Sequence, residues 1–257
     1  MSTLVVSLTA FLASLLTLFS GFGLGTLLMP VVALFFPIAV AVALTALVHL
    51  LNNLFKLTSL WRWIDGRTTL RFGVPALLAA LPGAWLLGVL AQAPPFLDYA
   101  VLGFEATLTP VKFVVGVLLV CFALVEGGGF AERFELGGRW LPAGGLLSGF
   151  FGGLSGHQGA FRSAFLLHAG LDTRGFVATN AAIASLVDGA RLAVYGLDAE
   201  LLFAEVEPAL LVAATIAAFA GVLVGRLGVD KVTLAAVRRL VAALLLVLGV
   251  GIGSGVL

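Results

Sequence analysis

Charge is what this chain lacks most. Lys, Arg, Asp and Glu make up 11% of 257 residues, less than half of what an ordinary soluble domain carries. A soluble domain of this length needs a polar shell, and there are too few charges to build one. The fourteen Lys and Arg offset thirteen Asp and Glu and form no basic cluster. Nothing therefore tracks a phosphate backbone, and nucleic acid is excluded as a partner. Cysteine is nearly absent. Cys121 stands alone in an apolar run, so it makes no internal disulfide and reads as a small buried hydrophobe. The three histidines, His49, His157 and His168, have no metal-ligand spacing. No metal site and no cofactor are expected, and no phosphate-loop motif for ATP is present.

What is abundant is apolar sequence. Hydrophobic residues reach 61%, and the mean hydropathy is +1.17. The apolar runs are long and do not alternate, which argues against a transmembrane barrel. Segments near the ~20 residues that span a bilayer as helix fall at 4–20 with 26–36, 38–60, 70–90 and 111–125. In the second half they fall at 141–154 with 160–171, 175–195, 208–224 and 235–256. The first element of each half is broken by glycine, at Ser20-Gly21-Phe22-Gly23-Leu24-Gly25 and at Ser155-Gly156-His157-Gln158-Gly159. Residues 1–20 hold no Lys or Arg, unlike the basic start of a secretory signal, and read as part of the fold.

The fold class expected is all-α: a polytopic helical membrane protein of two inverted repeats. Each repeat is a Gly-broken short-helix hairpin followed by three transmembrane helices. Residues 1–257 form one membrane domain, with repeat 1 at 1–126, repeat 2 at 140–257 and a cytoplasmic linker at about 127–139. A shift of about 135 residues lays Ser20-Gly21 on Ser155-Gly156, Asn53 on Asp188 and Lys56 on Arg191. Cytoplasmic loops are enriched in Lys and Arg. If each broken element returns to its starting side, twelve of the fourteen Lys and Arg share one face, and only Lys112 and Arg191 take the other. If each crosses once, the split is near even. The first arrangement gives each half an odd number of crossings, inverts the halves and puts both termini outside. The acidic stretch Asp198 to Glu207 then also lies outside.

The runs Ser20-Gly-Phe-Gly-Leu-Gly-Thr-Leu-Leu-Met-Pro30, Gly145 to Ser163 and Phe176-Val-Ala-Thr-Asn180 resemble the glycine-rich motifs of the TauE/SafE family, over essentially the whole chain. The resemblance implies a bacterial inner-membrane carrier of small organosulfur anions such as sulfite, sulfonates or sulfoacetate. The partners implied are the anion and the lipid bilayer, and a homodimer is compatible with the sequence. Leu24 and His157-Gln158 depart from the family's usual glycine run, which bears on substrate identity.

Paired glycine-interrupted segments in matching positions of two halves point to a transporter's binding site. Broken helices expose backbone groups that lipid cannot satisfy, and a helix N-terminus suits an anion. The candidate substrate residues are Ser20, Gly21, Gly23, Gly25, His49, Asn53, Ser155, Gly156, His157, Gln158, Gly159, Arg162 and Asn180. Arg162 stands in the first turn after the second break, as an anion receptor or as a snorkelling anchor. Its counterpart in repeat 1 is Leu27. His157 and Gln158 are either donors to an oxyanion or caps for frayed helix ends. Thr45, His49, Asn53 and Lys56 fall on one helical stripe, with Lys56 expected to snorkel. Asp188 and Arg191, three residues apart, are a gate or proton-coupling pair, or a structural pair near the outer interface. Trp61 and Trp63 beside Arg62, and Glu105 with Lys112, read as interfacial.

The function expected is secondary transport of a small sulfur oxyanion or organosulfonate by alternating access, with proton coupling among the options and no catalysis. Two alternatives stand beside it. One is a membrane phosphatase acting on a lipid pyrophosphate, for which the paired Glu205 and Glu207 lie in the wrong place, an outer loop. The other is a passive anion channel.

Overall fold

The computed structural model describes residues 1–17, 23–101, 104–128, 138–196, 204, 206–227 and 234–257. The chain is helical nearly throughout. The first half holds α1 (Ser2–Thr17), α2 (Gly25–Val32), α3 (Ile38–Leu60), the short α4 (Gly66–Thr68), α5 (Val74–Gln92) and α6 (Pro110–Gly127). The second holds α7 (Leu141–Ser155), α8 (Gly159–Leu166), α9 (Thr173–Tyr195), α10 (Pro208–Arg226) and α11 (Leu234–Gly253). A single π turn at Thr69–Gly73 joins α4 to α5 in one helical run. Among the described residues, five helical runs are long and apolar enough to cross a membrane: Ile38–Trp63, Gly66–Gln92, Pro110–Gly127, Thr173–Tyr195 and Pro208–Arg226. At about 1.5 Å per residue, 19 residues reach about 28 Å, close to the hydrocarbon thickness. Their outer faces carry Leu78, Trp85, Ile216 and Leu223, all at least half exposed, while polar side chains turn inward. That is the reverse of a soluble protein and the arrangement lipid imposes.

The helices pair across the two halves. α5 packs along α7, α1 along α10, α3 along α9, and α6 along α11. The α5–α7 contact is set by glycine at four-residue spacing. Built Cβ atoms on Gly145, Gly149 and Gly153 would stand 2.3, 2.0 and 2.2 Å from the carbonyl oxygens of Phe72, Ala76 and Ala80. Only glycine lets these two backbones approach so closely, and in a bilayer such close packing is a main source of helix association. Gly116 with Gly249 and Gly253 does the same for α6 and α11.

Two pairings fix relative direction. Trp63, just past the end of α3, meets Arg174 in the first turn of α9, and His49 midway along α3 meets Asp188. The two helices therefore run antiparallel. Lys112 at the start of α6 donates to the carbonyl of Gly255, just past α11, so that pair is antiparallel too. α7 and α8 fold back on themselves. The Phe165 ring, near the end of α8, covers Gly144 in the first turn of α7 and packs on Phe72.

Three features differ from the sequence reading. Residues 97–108 are not a plain loop but two antiparallel strands, β1 (Leu97–Val101) and β2 (Phe104–Leu108), paired Leu97 to Leu108 through Val101 to Phe104. They stack against the end of α11, where the Tyr99 hydroxyl donates to the Ser254 carbonyl. Cys121 is exposed on the outer face of α6, not buried. The second break is narrower than Ser155 to Gly159: Ser155 still belongs to α7 and Gly159 already opens α8, which confines it to Gly156-His157-Gln158, while Gly145 to Gly153 pack inside α7 as the run at 141–154 predicts. The linker expectation falls mostly outside the described residues, as do Asp198, Glu200 and Glu205.

Candidate functional site

The two breaks meet. Gly156 ends α7 in the left-handed conformation, φ 80°, with its N–H donating to the Gly152 carbonyl at 3.0 Å. Gly23 precedes α2 at φ 81°. Both conformations are open to glycine and strained for other residues. A built Cβ on Gly25 would stand 3.5 Å from the Gly156 carbonyl oxygen, so the backbones of the two breaks touch. Ser20 and Gly21 lie outside the described residues.

Around this junction α3, α8 and α9 bring their polar residues together. Asp188 is fully buried at the centre. Its Oδ2 accepts from His49 Nδ1 at 2.7 Å. Its Oδ1 accepts from Gln158 Nε2 at 2.9 Å and from Arg191 Nε and Nη2 at 3.0 and 2.8 Å. Arg191 also donates to the Gly152 carbonyl at 3.2 Å. This pair is therefore not interfacial. It ties α9 to α3 and to the second break.

Arg162 is also fully buried. Its Nη1 donates to Gln158 Oε1 at 2.7 Å and its Nε to Asn180 Oδ1. Neither partner carries charge. The carboxylate of Asp188 is paired instead with His49 and Arg191. Arg162 Nη2 is buried with no hydrogen-bond partner among the described residues. A guanidinium has five donors. Two amide oxygens hold this one in place and leave Nη2 free. Arg162 thus does not snorkel, and it does not belong to the cationic face that the charge count gave it.

The free Nη2 looks toward Gly23. A Cβ built there would stand 3.7 Å from Arg162 Nη2 and 3.1 Å from His49 Nε2. One atom at that point would touch both. His49, Asn53 and Lys56 are all buried, so the α3 stripe turns inward. Asn53 Nδ2 lies 3.2 Å from His49 Nε2, and Lys56 Nζ donates to Asn53 Oδ1 at 3.4 Å. Lys56 therefore points along the stripe instead of out to the headgroups. Thr45, one turn before His49, is buried with its hydroxyl unpartnered among the described residues.

His157 behaves differently from its neighbour Gln158. Its ring stacks on Phe122 at 5.4 Å between centroids. Its Nδ1 lies 3.4 Å from the Ser155 hydroxyl, and Nε2 has no partner among the described residues. Gln158 bridges Asp188 and Arg162 and is central to the cluster, while Ser148 anchors it by donating to its carbonyl at 2.9 Å. Gly159 opens α8, whose first turn carries Arg162. Sequence reasoning missed Ser148 and the inward role of Lys56. Their signals, a serine inside a glycine run and a lysine on a polar stripe, are common in purely structural helices.

Buried Arg162, Arg191 and Lys56 against Asp188 leave this junction cationic. Desolvated positive charge of this kind calls for an anion. At the end where α3 finishes, an open cavity of about 540 Å³ is lined by Ser59, Trp63, Thr173, Arg174 and Arg226. Arg174 lies 5.1 Å over the Trp63 ring and Arg62 5.3 Å over Trp61, an aromatic and cationic rim of the kind found at membrane interfaces. No group of three or more His, Cys, Asp or Glu placed to hold a metal ion occurs among the described residues.

The comparison with curated proteins gives no match. The family model described as sulfite exporter TauE/SafE matches residues 6–252, nearly the full length over which the helices and their buried polar junction extend, and the chain belongs to that family of membrane transporters.

Proposed function

We propose that this protein is a secondary carrier of a small sulfur oxyanion or organosulfonate, held at the meeting point of the two helix breaks. The observation that carries the reading is Arg162: a buried guanidinium with no carboxylate partner among the described residues and a free Nη2. The anion supplies the missing charge. Gln158 and Asn180 fix the guanidinium plane, and His49 faces the same point. A sulfite or sulfonate group offers three oxygens to such donors.

The two halves act as inverted repeats that rock about this site to open it to one side and then the other. Reciprocal pairing supports this. The first helix of each half packs on the third-span helix of the other, and the matching helices α3 with α9 and α6 with α11 run antiparallel. The fold-back of α7 and α8 supports the odd number of crossings. The cationic rim around Arg62, Arg174 and Arg226 faces the cytoplasm of a bacterial inner membrane, which leaves both termini outside.

The test is tracer flux into proteoliposomes for sulfite, sulfate, thiosulfate, methanesulfonate and sulfoacetate, with acetate as a control. Saturable flux of one sulfur anion, cross-inhibited by its nearest analogue, is expected. Flux of none of them, or non-saturable flux of all, contradicts the proposal.

A further inference from the structure

His49 Nε2 lies beside the anion point, and the protonation of its ring can be assigned. Lys56 can only donate, so its bond to Asn53 fixes Asn53 Oδ1 on the Lys56 side and the amide Nδ2 toward His49 Nε2. Asn53 Nδ2 is a donor, so His49 Nε2 accepts. His49 Nδ1 faces the Asp188 carboxylate at 2.7 Å and therefore carries the proton. His49 is thus a neutral imidazole whose Nε2 lone pair lies 3.1 Å from the point that Arg162 Nη2 also approaches.

We infer that His49 Nε2 is the proton-coupling site of this carrier, loading one proton with each anion; the inference rests on the carrier reading above. An anion oxygen placed at the Gly23 point finds no donor on neutral His49, whose Nε2 lone pair accepts from Asn53. A proton taken up from bulk water onto Nε2 converts that lone pair into a second donor beside Arg162. The same proton breaks the Asn53 contact, because two donors then face each other, and this frees the ring to face the anion. In the reverse direction, a proton on His49 without an anion sets imidazolium beside Arg162 and Lys56. Each ligand therefore binds better with the other present, and the coupling is reciprocal.

The charged groups around His49 are Asp188 on α9, with Arg191 behind it, Arg162 on α8, and Lys56 on its own helix. Asp188 is the weaker coupling candidate. Both of its oxygens already accept, from four donors of three residues, so a proton there would displace an existing bond. Asp188 orients His49, and His49 titrates.

Two measurements test this on the full chain, using whichever anion of the panel the wild type moves, with protein-free vesicles correcting for the anion's own buffering. Anion binding by detergent-solubilised wild type, followed in two buffers of different ionisation enthalpy, should take up about one proton per anion. Affinity should fall as pH rises, because the neutral form of His49 is the weaker partner of the anion. His49→Gln, which cannot titrate, should weaken the anion's apparent affinity, and the flux that remains should carry no anion-driven proton movement and show a flat pH profile. Wild-type binding without proton uptake overturns the coupling and leaves the carrier standing. So does a His49→Gln variant with the wild-type proton-to-anion ratio. If the variant fails to insert, the wild-type binding experiment decides alone. Wild type that binds and moves no panel anion removes the carrier reading and this inference with it.

Discussion

The two helix breaks share a backbone device and differ in chemistry. Each uses a glycine near φ +80°, Gly23 in one and Gly156 in the other. After the first break α2 continues with Leu27, Leu28 and Met29, all buried and apolar. After the second, α8 presents Arg162, held by Gln158 within the break itself. The same contrast recurs on the long helices. Asn53 on α3 corresponds to Asp188 on α9, and the neutral amide sits where the other half has the carboxylate. The two breaks share a glycine turn, and only the second is followed by a charged side chain. On the carrier reading proposed above, the anion is held by the second half.

Making the halves alike should break the comparison. Asp188→Asn gives α9 the residue of α3 and leaves Arg191 buried without its carboxylate. Breaking a buried pair from one side costs about 3–5 kcal/mol. A large drop in the thermal midpoint of purified protein is expected, partly recovered in the Asp188→Asn, Arg191→Leu double variant. Next comes Gly149→Val, which tests whether helix packing and substrate chemistry are separate. Its Cβ would meet the Ala76 carbonyl at 2.0 Å. Forced repacking costs about 1–3 kcal/mol and should lower the midpoint while leaving the pH profile of residual transport unchanged.

Gly23→Ala and Gly156→Ala sharpen the comparison. Both force a positive φ on alanine, at about 1–2 kcal/mol each, so their stability losses should match. Their transport should not. The Gly23 methyl fills the point shared by His49 and Arg162 and should raise the apparent KM, whereas the Gly156 methyl faces Arg191 Nη1 at 3.1 Å. The smallest effect belongs to Asp65→Ala, far from either break. Asp65 caps α4 by accepting from the Thr68 N–H at 2.7 Å, and the Thr68 hydroxyl together with that N–H holds its carboxyl below the usual carboxylate range. Its contribution is present at neutral pH and is lost as pH falls through the depressed value. Loss of the cap should cost about 1 kcal/mol with transport unaffected.

Much of this was legible in the residues because lipid is a demanding solvent. Helix positions followed from apolar runs, and the inward turn of the α3 stripe from the cost of polar groups in hydrocarbon. Arg162 was legible as a cation too deep for its position. Other features were not. The edges of the second break were blurred, since close helix approach and positive φ both select glycine and Gly159 serves neither as a turn nor as a break but opens α8. Lys56 read as a headgroup anchor because nothing local shows that Asn53, one turn back, accepts from it. The Arg162–Asn180 bond and the His49–Asp188 bond join residues 18 and 139 positions apart, and pattern within a single helix carries no trace of them. The β1–β2 hairpin was missed because its strands are five residues each, short beside the membrane-length runs that flank them.

The most direct measurement is saturable flux of the transported sulfur anion by Arg162→Leu, which gives the second break the side chain of the first, beside wild type at equal reconstitution. Truncating a buried, hydrogen-bonded charge partner costs about 2–5 kcal/mol or more. The account predicts a loss of about 100-fold or more in apparent affinity or rate with protein still inserted. Wild-type flux and affinity in that variant would contradict it, because the anion would then be held by something other than the one free buried guanidinium found among the described residues.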